Sequence, residues 1–319
     1  MLDVLRLRVL DAVARHGSVT AAARELHYSQ PSVSHHLARL EAETGAKLVQ
    51  RVGRGIRLTE AGRLLADRAA EIIGRLDAAS NELAAHVGLR SGRVRLAAFP
   101  SALGTFVPAA ALRLAREHPG LDLRLIEAEP PEALAMLRAG QVDVAVTFRY
   151  GTSGLGTDMG VDGAGAGGVR TVGLFEDPGF LVTPPQVDPG GELGSYAGAK
   201  WIAGCDRCRS HLLALCGAAG FDPAIAFTTD DYVAVQAMVA AGLGVTVLPR
   251  LALSAHRHPG VRLSEIPGSS RNVIAAVYGE PPDPPATAAL VRALASAAES
   301  AALDGAAGSP AGAAAAIGS

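Results

Sequence analysis

Long apolar runs are missing from this sequence, and their absence bears on where the protein works. The most apolar stretch, VAVQAMVAAGLGVTVLP from Val233, is too short and too interrupted by glycine to span a bilayer. The N-terminal residues MLDVLRLRVLDAV interleave acids and arginines with leucines, so they lack the apolar segment of a signal peptide. We therefore expect a cytoplasmic protein with no membrane partner.

Cysteine and catalytic motifs are also scarce. The chain of 319 residues contains three cysteines, and without an export signal so few cysteines indicate a reducing cytosol. Neither G-x-S-x-G nor H-E-x-x-H occurs, and the histidines of the C-terminal half are scattered. Since catalysis needs a nucleophile with its base, paired carboxylates or a ligand cluster, we expect no enzyme, no metal site and no cofactor.

Charge is balanced in total but not along the chain. The net charge is −2, yet residues 1–90 carry 13 Lys and Arg against 10 Asp and Glu, and the remainder carries 16 against 21. A basic N-terminal segment on an acidic body suggests a polyanionic partner. With 49% apolar and 19% charged residues, the chain is globular, and its length predicts two or three domains.

The N-terminal residues carry a helix-turn-helix pattern. Residues at helical spacing form a first helix that ends at Gly17. Ser18 is a good N-cap for a short second helix, and a tight turn follows that helix. Ser29 or Gln30 then caps a third helix, in which Pro31 is tolerated because the first turn needs no N–H donor. This helix is expected to end near Gly45. A short helix, a brief turn and a second helix are typical of a DNA reader.

Two adjacent histidines lie in the middle of the third helix, and helical phase separates them. Each residue turns about 100° around the axis, which puts Val33, Leu37 and Leu40 in one buried sector. His35 lies almost opposite that sector, and His36 lies on its shoulder. Adjacent helical residues chelate a metal poorly, so the alternatives for His35 are plain exposure and contact with a DNA groove, which we favour. The residues assigned to DNA on this helix are Gln30, Pro31, Ser32, Ser34, His35 and Arg39.

The next segment, KLVQRVGRGIRLTEAG from Lys47, predicts a hairpin followed by the start of a helix. Its arginines are Arg51, Arg54 and Arg57. Beside a recognition helix, such a hairpin is a wing that follows the DNA backbone or minor groove. An ordinary surface hairpin is the alternative.

Thr59 caps a long helix that is predicted to run from residue 60 to about residue 87. Its apolar positions recur at steps of three and four residues: Leu65, Ala69, Ile72, Leu76, Ala79, Leu83 and Val87. Such a seam, which is nearly a heptad repeat, predicts pairing with a second helix and hence a homodimer. Packing of this helix on its own domain is the alternative.

The run GSVTAAARELHYSQPSVSHHLARLEAETGAKLVQRVGRGIRLTEAG strongly resembles the N-terminal winged helix-turn-helix of LysR-type transcriptional regulators. The likeness implies a linker helix and then a periplasmic-binding-protein-like α/β effector domain with two subdomains. It further implies a homotetramer built from two dimers, and a small-molecule effector that modulates binding to an interrupted inverted repeat in double-stranded DNA. One departure concerns His35 and His36, where the family commonly has Arg or Lys followed by Gln. We therefore expect pH sensitivity or an altered base preference.

The C-terminal part alternates strands and helices, which predicts an α/β fold with a mainly parallel sheet. Residues 151–168 contain eight glycines and predict a flexible loop. The resemblance implies that the chain crosses between the subdomains near this loop and returns near Ile266. The expected boundaries are 1–58 for the DNA-binding domain, 59–90 for the linker helix, 91–150 with 267–303 for subdomain I, 169–266 for subdomain II, and 304–319 for a disordered tail.

An effector cleft is expected where parallel strands end at their carboxyl edge. Ser101 heads a helix whose N–H groups suit a carboxylate or phosphate, and Arg149 or Arg207 would neutralise that anion. For each residue, a capping or surface role is the alternative. The residues assigned to the effector are Ser101, Thr147, Arg149, Cys205, Arg207 and Asp230.

All three cysteines fall within CDRCRSHLLALC, at Cys205, Cys208 and Cys216. A CxxC that starts a helix can lower a thiol pKa, form a disulfide or supply two zinc ligands. A second CxxC is missing, and Cys216 lies too far along the same helix to complete a compact site. We therefore favour packing or cleft lining over redox or metal sensing.

Overall fold

Serine caps define the first helices of the N-terminal domain. The structure is a computed structural model that describes residues 2–52, 55–86, 92–151, 168–187 and 191–307. The Ser18 hydroxyl accepts the N–H of Ala21, and the Ser29 hydroxyl accepts the N–H of Ser32, as N-caps do. The elements are α1 (Val4–His16), α2 (Val19–Glu25), α3 (Gln30–Thr44), β1 (Val49–Val52), β2 (Gly55–Leu58) and α4 (Glu60–His86).

Helix α4 begins against the hairpin and continues from it without a break. The Thr59 hydroxyl accepts the N–H of Gly62 at 3.0 Å and donates to the carbonyl of Lys47 at 2.6 Å. A Cβ on Gly62 would lie 2.0 Å from the carbonyl oxygen of Leu48, so only glycine allows the helix to approach the strand this closely. The start of the long helix is therefore fixed to the DNA-binding domain.

The apolar seam of α4 divides into two parts. Leu65 and Ala69 pack into the core of the N-terminal domain. Farther along, Ile72, Leu76 and Leu83 are exposed by 38%, 42% and 65%. Packing on its own domain therefore explains the first part of the seam, whereas the second part presents apolar side chains at the surface.

The C-terminal part contains a six-stranded sheet in the order β4-β3-β5-β10-β6-β9. Strand β3 pairs in parallel with β4 and β5, but the pairs β5–β10, β10–β6 and β6–β9 are antiparallel. The expectation of a mainly parallel sheet is therefore wrong for this sheet. Its strands are β3 (Gly92–Ala98), β4 (Leu121–Glu127), β5 (Val144–Tyr150), β6 (Val169–Thr183), β9 (Thr246–Pro249) and β10 (Arg262–Tyr278).

A smaller parallel sheet joins β7 (Lys200–Ala203) to β8 (Ala224–Thr228). Trp201 of β7, the only tryptophan of the sequence, is fully buried, and its indole N–H donates to the carbonyl of Tyr196. The helices around the sheets are α5 (Pro100–Leu103), α6 (Phe106–Glu117), α7 (Pro130–Arg138), α8 (Asp206–Ala218), α9 (Tyr232–Ala240), α10 (Arg250–Ala255) and α11 (Pro285–Ala307), with a short 3₁₀ helix at Leu193–Tyr196.

Two stretches for which the sequence predicts disorder or flexibility lie mostly outside the described residues. Residues 152–167 of the expected loop and residues 308–319 of the expected tail are among them. Helix α11 continues to Ala307, beyond its predicted end near Leu303. The first residues of the expected tail are therefore helical.

A glycine contact joins the linker helix to the C-terminal part of the chain. A Cβ on Gly74 of α4 would lie 2.3 Å from the carbonyl oxygen of Ala139 and 2.4 Å from the Cα of Gly140. Gly140 follows α7 with a φ of +63°, which favours glycine at this position too. One residue along α4, Arg75 donates to the hydroxyl of Tyr278 and lies over its ring. The backbones of α4 and the turn after α7 are thus in direct contact.

Substituting Gly74 by alanine tests this contact. Alanine favours a helix interior by about 1 kcal/mol over glycine, but an overpacked contact costs roughly 1–3 kcal/mol. We expect a net loss of up to roughly 2 kcal/mol in the free energy of unfolding of the full chain, measured by urea unfolding followed by Trp201 fluorescence. Gly217 of α8 is the matched control because a Cβ there has nothing within 4 Å, so Gly217→Ala should stabilise. Equal stabilisation by both substitutions would show that α4 does not dock on this turn.

Candidate functional site

Helix α3 packs one face on the N-terminal core and leaves the opposite face open. Val33, Leu37 and Leu40 are buried, His35 is exposed, and His36 is half-buried, as helical phase predicts. The other side chains assigned to this face are Gln30, Pro31, Ser34 and Arg39, which are exposed, and Ser32, which is half-buried. The open face therefore combines hydrogen-bonding groups with a cation, as a groove-reading helix requires.

The two histidines have different surroundings. The ring of His36 stacks on Tyr28 with centroids 5.8 Å apart, whereas His35 meets His36 only edge to face. Within the described ranges, no group of three or more His, Cys, Asp or Glu side chains could hold a metal ion. His36 thus packs on a neighbour, while His35 points away from the core.

One carboxylate positions the hairpin beside α3. Glu41 accepts the N–H groups of Leu48 and Val49 at 2.9 and 3.2 Å and the ammonium of Lys47 at 2.8 Å. Burial raises the pKa of the Glu41 carboxyl, but these hydrogen bonds outweigh burial and hold the pKa below its usual value. Arg57, which pairs with Gln50 across the hairpin, is exposed. Arg54 and the side chain of Arg51 lie outside the described residues.

A cavity of about 60 Å³ lies where β3, β7 and β8 end at their carboxyl edges. Apolar and aromatic side chains form most of its wall, and a few polar groups converge on it, as in small-molecule sites. Its polar and sulfur-containing lining residues are Ser101, Glu129, Cys205, Cys208, Thr229, Asp230, Thr246 and Arg271.

A buried ion pair forms one wall of this cavity. The Arg271 guanidinium donates to the Asp177 carboxylate at 2.9 Å, with side-chain exposures of 3% and 0%. It also donates to the Ser101 hydroxyl at 3.0 Å and lies 4.8 and 4.3 Å from the ring centroids of Phe99 and Phe148. Asp177 offsets the charge of Arg271, and the two rings fix the plane of the guanidinium.

The other charged groups that line the cavity are acids. Burial raises the pKa of the Glu129 carboxyl and the charge of Asp230 adds to that effect, while a hydrogen bond with Cys205 and the charges of Arg271 and Arg207 oppose it without reversing it. One oxygen of Glu129, Oε2, is buried without a hydrogen-bond partner. Because Arg271 is already paired with Asp177, the cavity wall carries no excess positive charge.

Three of the six residues assigned to an effector line the cavity, namely Ser101, Cys205 and Asp230. Thr147, Arg149 and Arg207 are not among the lining residues. Successive residues of a strand point to opposite faces, so Phe148 of β5 faces the cavity while its neighbours point away. Arg207 donates to the backbone carbonyl of Phe148 at 3.3 Å.

A second layer of aromatic and polar groups lies behind the cavity. The rings of Tyr150 and His211 stack with centroids 3.7 Å apart and an angle of 10° between their planes. His211 Nε2 lies 2.9 Å from the hydroxyl of Ser269. Burial and the charge of Arg271 lower the pKa of His211 to about 4, so its imidazole is neutral near pH 7.

Sequence reasoning missed Asp177, Arg271 and Glu129. Register across β6 and β10 places Asp177 directly opposite Arg271, although 94 residues separate them in the chain. The available signal was a pair of opposite charges, Asp177 and Arg271, in two long strands that also carry other charged residues. It becomes specific only when the strand pairing is known.

Among the residues that the structure describes, none of the helices has both the length and the apolar character needed to cross a membrane.

Comparison with known proteins places both halves of the chain in one family. A family model described as a bacterial regulatory helix-turn-helix protein of the lysR family matches residues 5–63, and one described as the LysR substrate binding domain matches residues 88–299. The RuBisCO operon transcriptional regulator of Allochromatium vinosum is 33% identical over 191 residues, which are 60% of this chain and 59% of that protein. The DNA-binding transcriptional dual regulator OxyR of Escherichia coli is 28% identical over 87% of this chain and 89% of its own.

Solved structures share the fold. The LysR family transcriptional regulator CbnR has a TM-score of 0.62 at 21% identity, covering 93% of this chain and 99% of its own. A full-length OxyR variant from Pseudomonas aeruginosa has a TM-score of 0.66 at 22% identity, covering 92% of this chain and 95% of its own.

Proposed function

Because the chain belongs to the LysR family of bacterial transcriptional regulators, we propose that the open face of α3 reads operator DNA and that the hairpin β1–β2 contacts the DNA backbone. The family comprises transcription regulators with a DNA-binding domain and an effector-binding domain. The observation that carries the assignment is the exposed face of α3 with His35 at its centre. Because the promoter DNA of bacteria lies in the cytoplasm, the proposed activity is cytoplasmic.

Two copies of α4 pair in this proposal. The exposed apolar residues Ile72 and Leu83 extend a seam that begins in the core of the DNA-binding domain. A two-fold axis along the paired helices presents two α3 helices to the halves of an interrupted inverted repeat. Two such dimers form the tetramer. We assign residues 1–58 to DNA binding, residues 59–90 to pairing of the linker helices, and residues 91–303 to effector binding.

The effector enters the cavity beside Ser101 and Arg271 in this proposal. Asp177 already neutralises the cation, and two acids, Glu129 and Asp230, also line the wall. An anionic effector would therefore meet repulsion, and we assign a small neutral or cationic molecule with an apolar body. Specific binding of a small dicarboxylate in this cavity would contradict the assignment.

The DNA assignment is tested by comparing His35→Ala with Arg57→Ala. A lost base contact costs roughly 1–3 kcal/mol, so His35→Ala should reduce the preference for operator over scrambled DNA by about 5-fold to 150-fold, with binding to scrambled DNA little changed. Arg57→Ala should weaken binding to operator and to scrambled DNA alike. It should also reduce the slope of log affinity against log salt concentration by about 0.9 for each lost phosphate contact. Fluorescence anisotropy across a salt series measures both effects.

Arg116, an exposed residue of α6, is the matched control, and Arg116→Ala should leave both DNA affinities and the salt slope unchanged. Unaltered operator preference in His35→Ala would show that the open face of α3 does not read bases.

A further inference from the structure

Two cysteines face each other at the effector cavity. Cys205 is the N-cap residue of α8, Cys208 lies in its first turn, and their sulfur atoms are 3.2 Å apart. Both thiols are free and both line the cavity. A disulfide bond is about 2.05 Å long, so the two sulfurs need approach by only about 1.2 Å to bond. Gly204 gives Cys208 its space, because a Cβ at that glycine would lie 3.1 Å from the Cβ of Cys208.

The surroundings of the two thiols are unequal. The Cys205 thiol donates to Cys208, whose sulfur also receives the Tyr150 hydroxyl at 3.6 Å. The hydrogen bond from Cys205 is the largest cause that lowers the pKa of Cys208 to about 7, and the charge of Arg271 contributes, while burial and Glu129 oppose it. The same hydrogen bond, together with burial, raises the pKa of Cys205 well above its usual value. Near pH 7, Cys208 therefore spends about half of its time as a thiolate, while Cys205 stays protonated.

The third cysteine provides an internal comparison. Cys216 is fully buried in the core that surrounds Trp201, and burial raises its pKa to about 11. It lies on α8 two helical turns beyond Cys208 and does not line the cavity. Reactive thiols are thiolates in electropositive, accessible surroundings, and Cys216 has neither property.

We infer that Cys205 and Cys208 form a reversible dithiol–disulfide site that exchanges with small low-molecular-weight disulfides. The Cys208 thiolate attacks one sulfur of the disulfide RS–SR, whose S–S bond breaks to release RS⁻ and leave a mixed disulfide on Cys208. Cys205 loses its proton to RS⁻, and its sulfur then attacks Cys208 and expels the second RS⁻, which solvent protonates. The protein loses two electrons and the proton of Cys205, solvent supplies the second proton, and RS–SR becomes two RSH.

Oxidation would change the cavity wall in a defined way. The Cys208 thiolate near Arg271 becomes part of a neutral disulfide. This bond links Cys205, the N-cap residue of α8, to Cys208 in the first turn of the helix. The site depends on the thiols alone. If no disulfide forms, the proposed DNA and effector contacts are therefore unaffected.

The positions of the trypsin sites allow a disulfide between Cys205 and Cys208 to be detected directly. Trypsin cuts after Lys200, Arg207 and Arg209, so Cys205 and Cys208 fall on separate peptides, 201–207 and 208–209. The native full chain is incubated with 2-hydroxyethyl disulfide, quenched with acid, denatured, alkylated with iodoacetamide and digested. We expect loss of two of the three alkylatable thiols and a peptide pair linked through Cys205 and Cys208. Dithiothreitol should restore all three.

Variants separate the roles of the two thiols. Cys205→Ser should trap a mixed disulfide on Cys208, with a rate that rises about tenfold per pH unit until the pKa of Cys208 is passed and then levels off. Cys208→Ser should slow modification of Cys205 at least tenfold, and Cys216→Ser should behave like the unaltered protein. Complete alkylation of Cys205 and Cys208 after exposure to the disulfide would overturn the site. A linkage through Cys216 would overturn it as well.

Discussion

Replacing Asp177 by alanine is expected to lower the free energy of unfolding of the C-terminal part by about 3–5 kcal/mol, because it leaves the Arg271 guanidinium buried without its counter-charge. The exposures of 0% and 3% leave water little access to replace the lost carboxylate. Asp177 also accepts the backbone N–H of Leu251 at 3.1 Å, so a second buried donor loses its acceptor. Phe99 and Phe148 contact the guanidinium only through their ring faces, and these do not replace the lost carboxylate.

Urea unfolding followed by Trp201 fluorescence measures this loss, since the single tryptophan lies in the C-terminal part. Asp122→Ala is the matched control: its carboxylate pairs with Arg93 and Arg124 at the surface, at 3.2 and 3.1 Å, and its removal should leave the unfolding midpoint unchanged. Adding Arg271→Met to Asp177→Ala should recover much of the loss, because no buried charge is then left alone. An Asp177→Ala midpoint equal to that of the unaltered protein would contradict the buried pairing.

Local signals explain why the N-terminal domain could be predicted residue by residue. Ser18 and Ser29 cap helices through contacts with residues three positions away, and the buried sector of α3 follows from the helical period alone. None of these features depends on distant strand pairing. The same reasoning gave the start of α4 at Thr59 and the exposure of His35.

The sheet direction and the cavity wall depend on pairing between distant segments, which the sequence does not show. Strand β10 runs through Pro267 and Gly268, with an irregularity in its pairing between Glu265 and Ser270. Strand β10 thereby pairs antiparallel with both β5 and β6, where alternation of strands and helices predicted parallel neighbours. Only this pairing brings Asp177 to Arg271, so the ion pair could not be found from spacing.

The assigned cavity residues show the same limit on a smaller scale. Ser101 and Cys205 closely follow β3 and β7, which pair in parallel with β4, β5 and β8, so the carboxyl ends of these strands lie at the edge where the cavity forms. Thr147 and Arg149 lie within β5, where a shift of one residue reverses the face to which a side chain points. Position along the chain was therefore sufficient for Ser101, Cys205 and Asp230, which lie just past strand ends, and insufficient for Thr147 and Arg149 inside a strand.

Acid should destabilise the C-terminal part through His211, and the sign follows from its pKa. Burial and the charge of Arg271 hold the pKa of folded His211 at about 4, whereas an unfolded histidine titrates near 6.5. Between these values the unfolded chain binds a proton that the folded chain does not bind. This contribution to stability is therefore complete above about pH 6.5 and is lost as the pH falls from 6.5 through 4, by roughly 3 kcal/mol in all.

The contribution of His211 is isolated by subtracting the pH profile of His211→Gln, which does not titrate, from that of the unaltered protein. Glu129 acts in the opposite direction, because burial raises its pKa and its stabilisation is lost as the pH rises, but it is present in both proteins and cancels. Urea midpoints between pH 7.5 and pH 4.5 should show the unaltered protein losing stability faster than the variant as the pH falls. Parallel profiles would mean that His211 is as easily protonated in the folded chain as in the unfolded one, and that its stacking on Tyr150 does not exclude the proton.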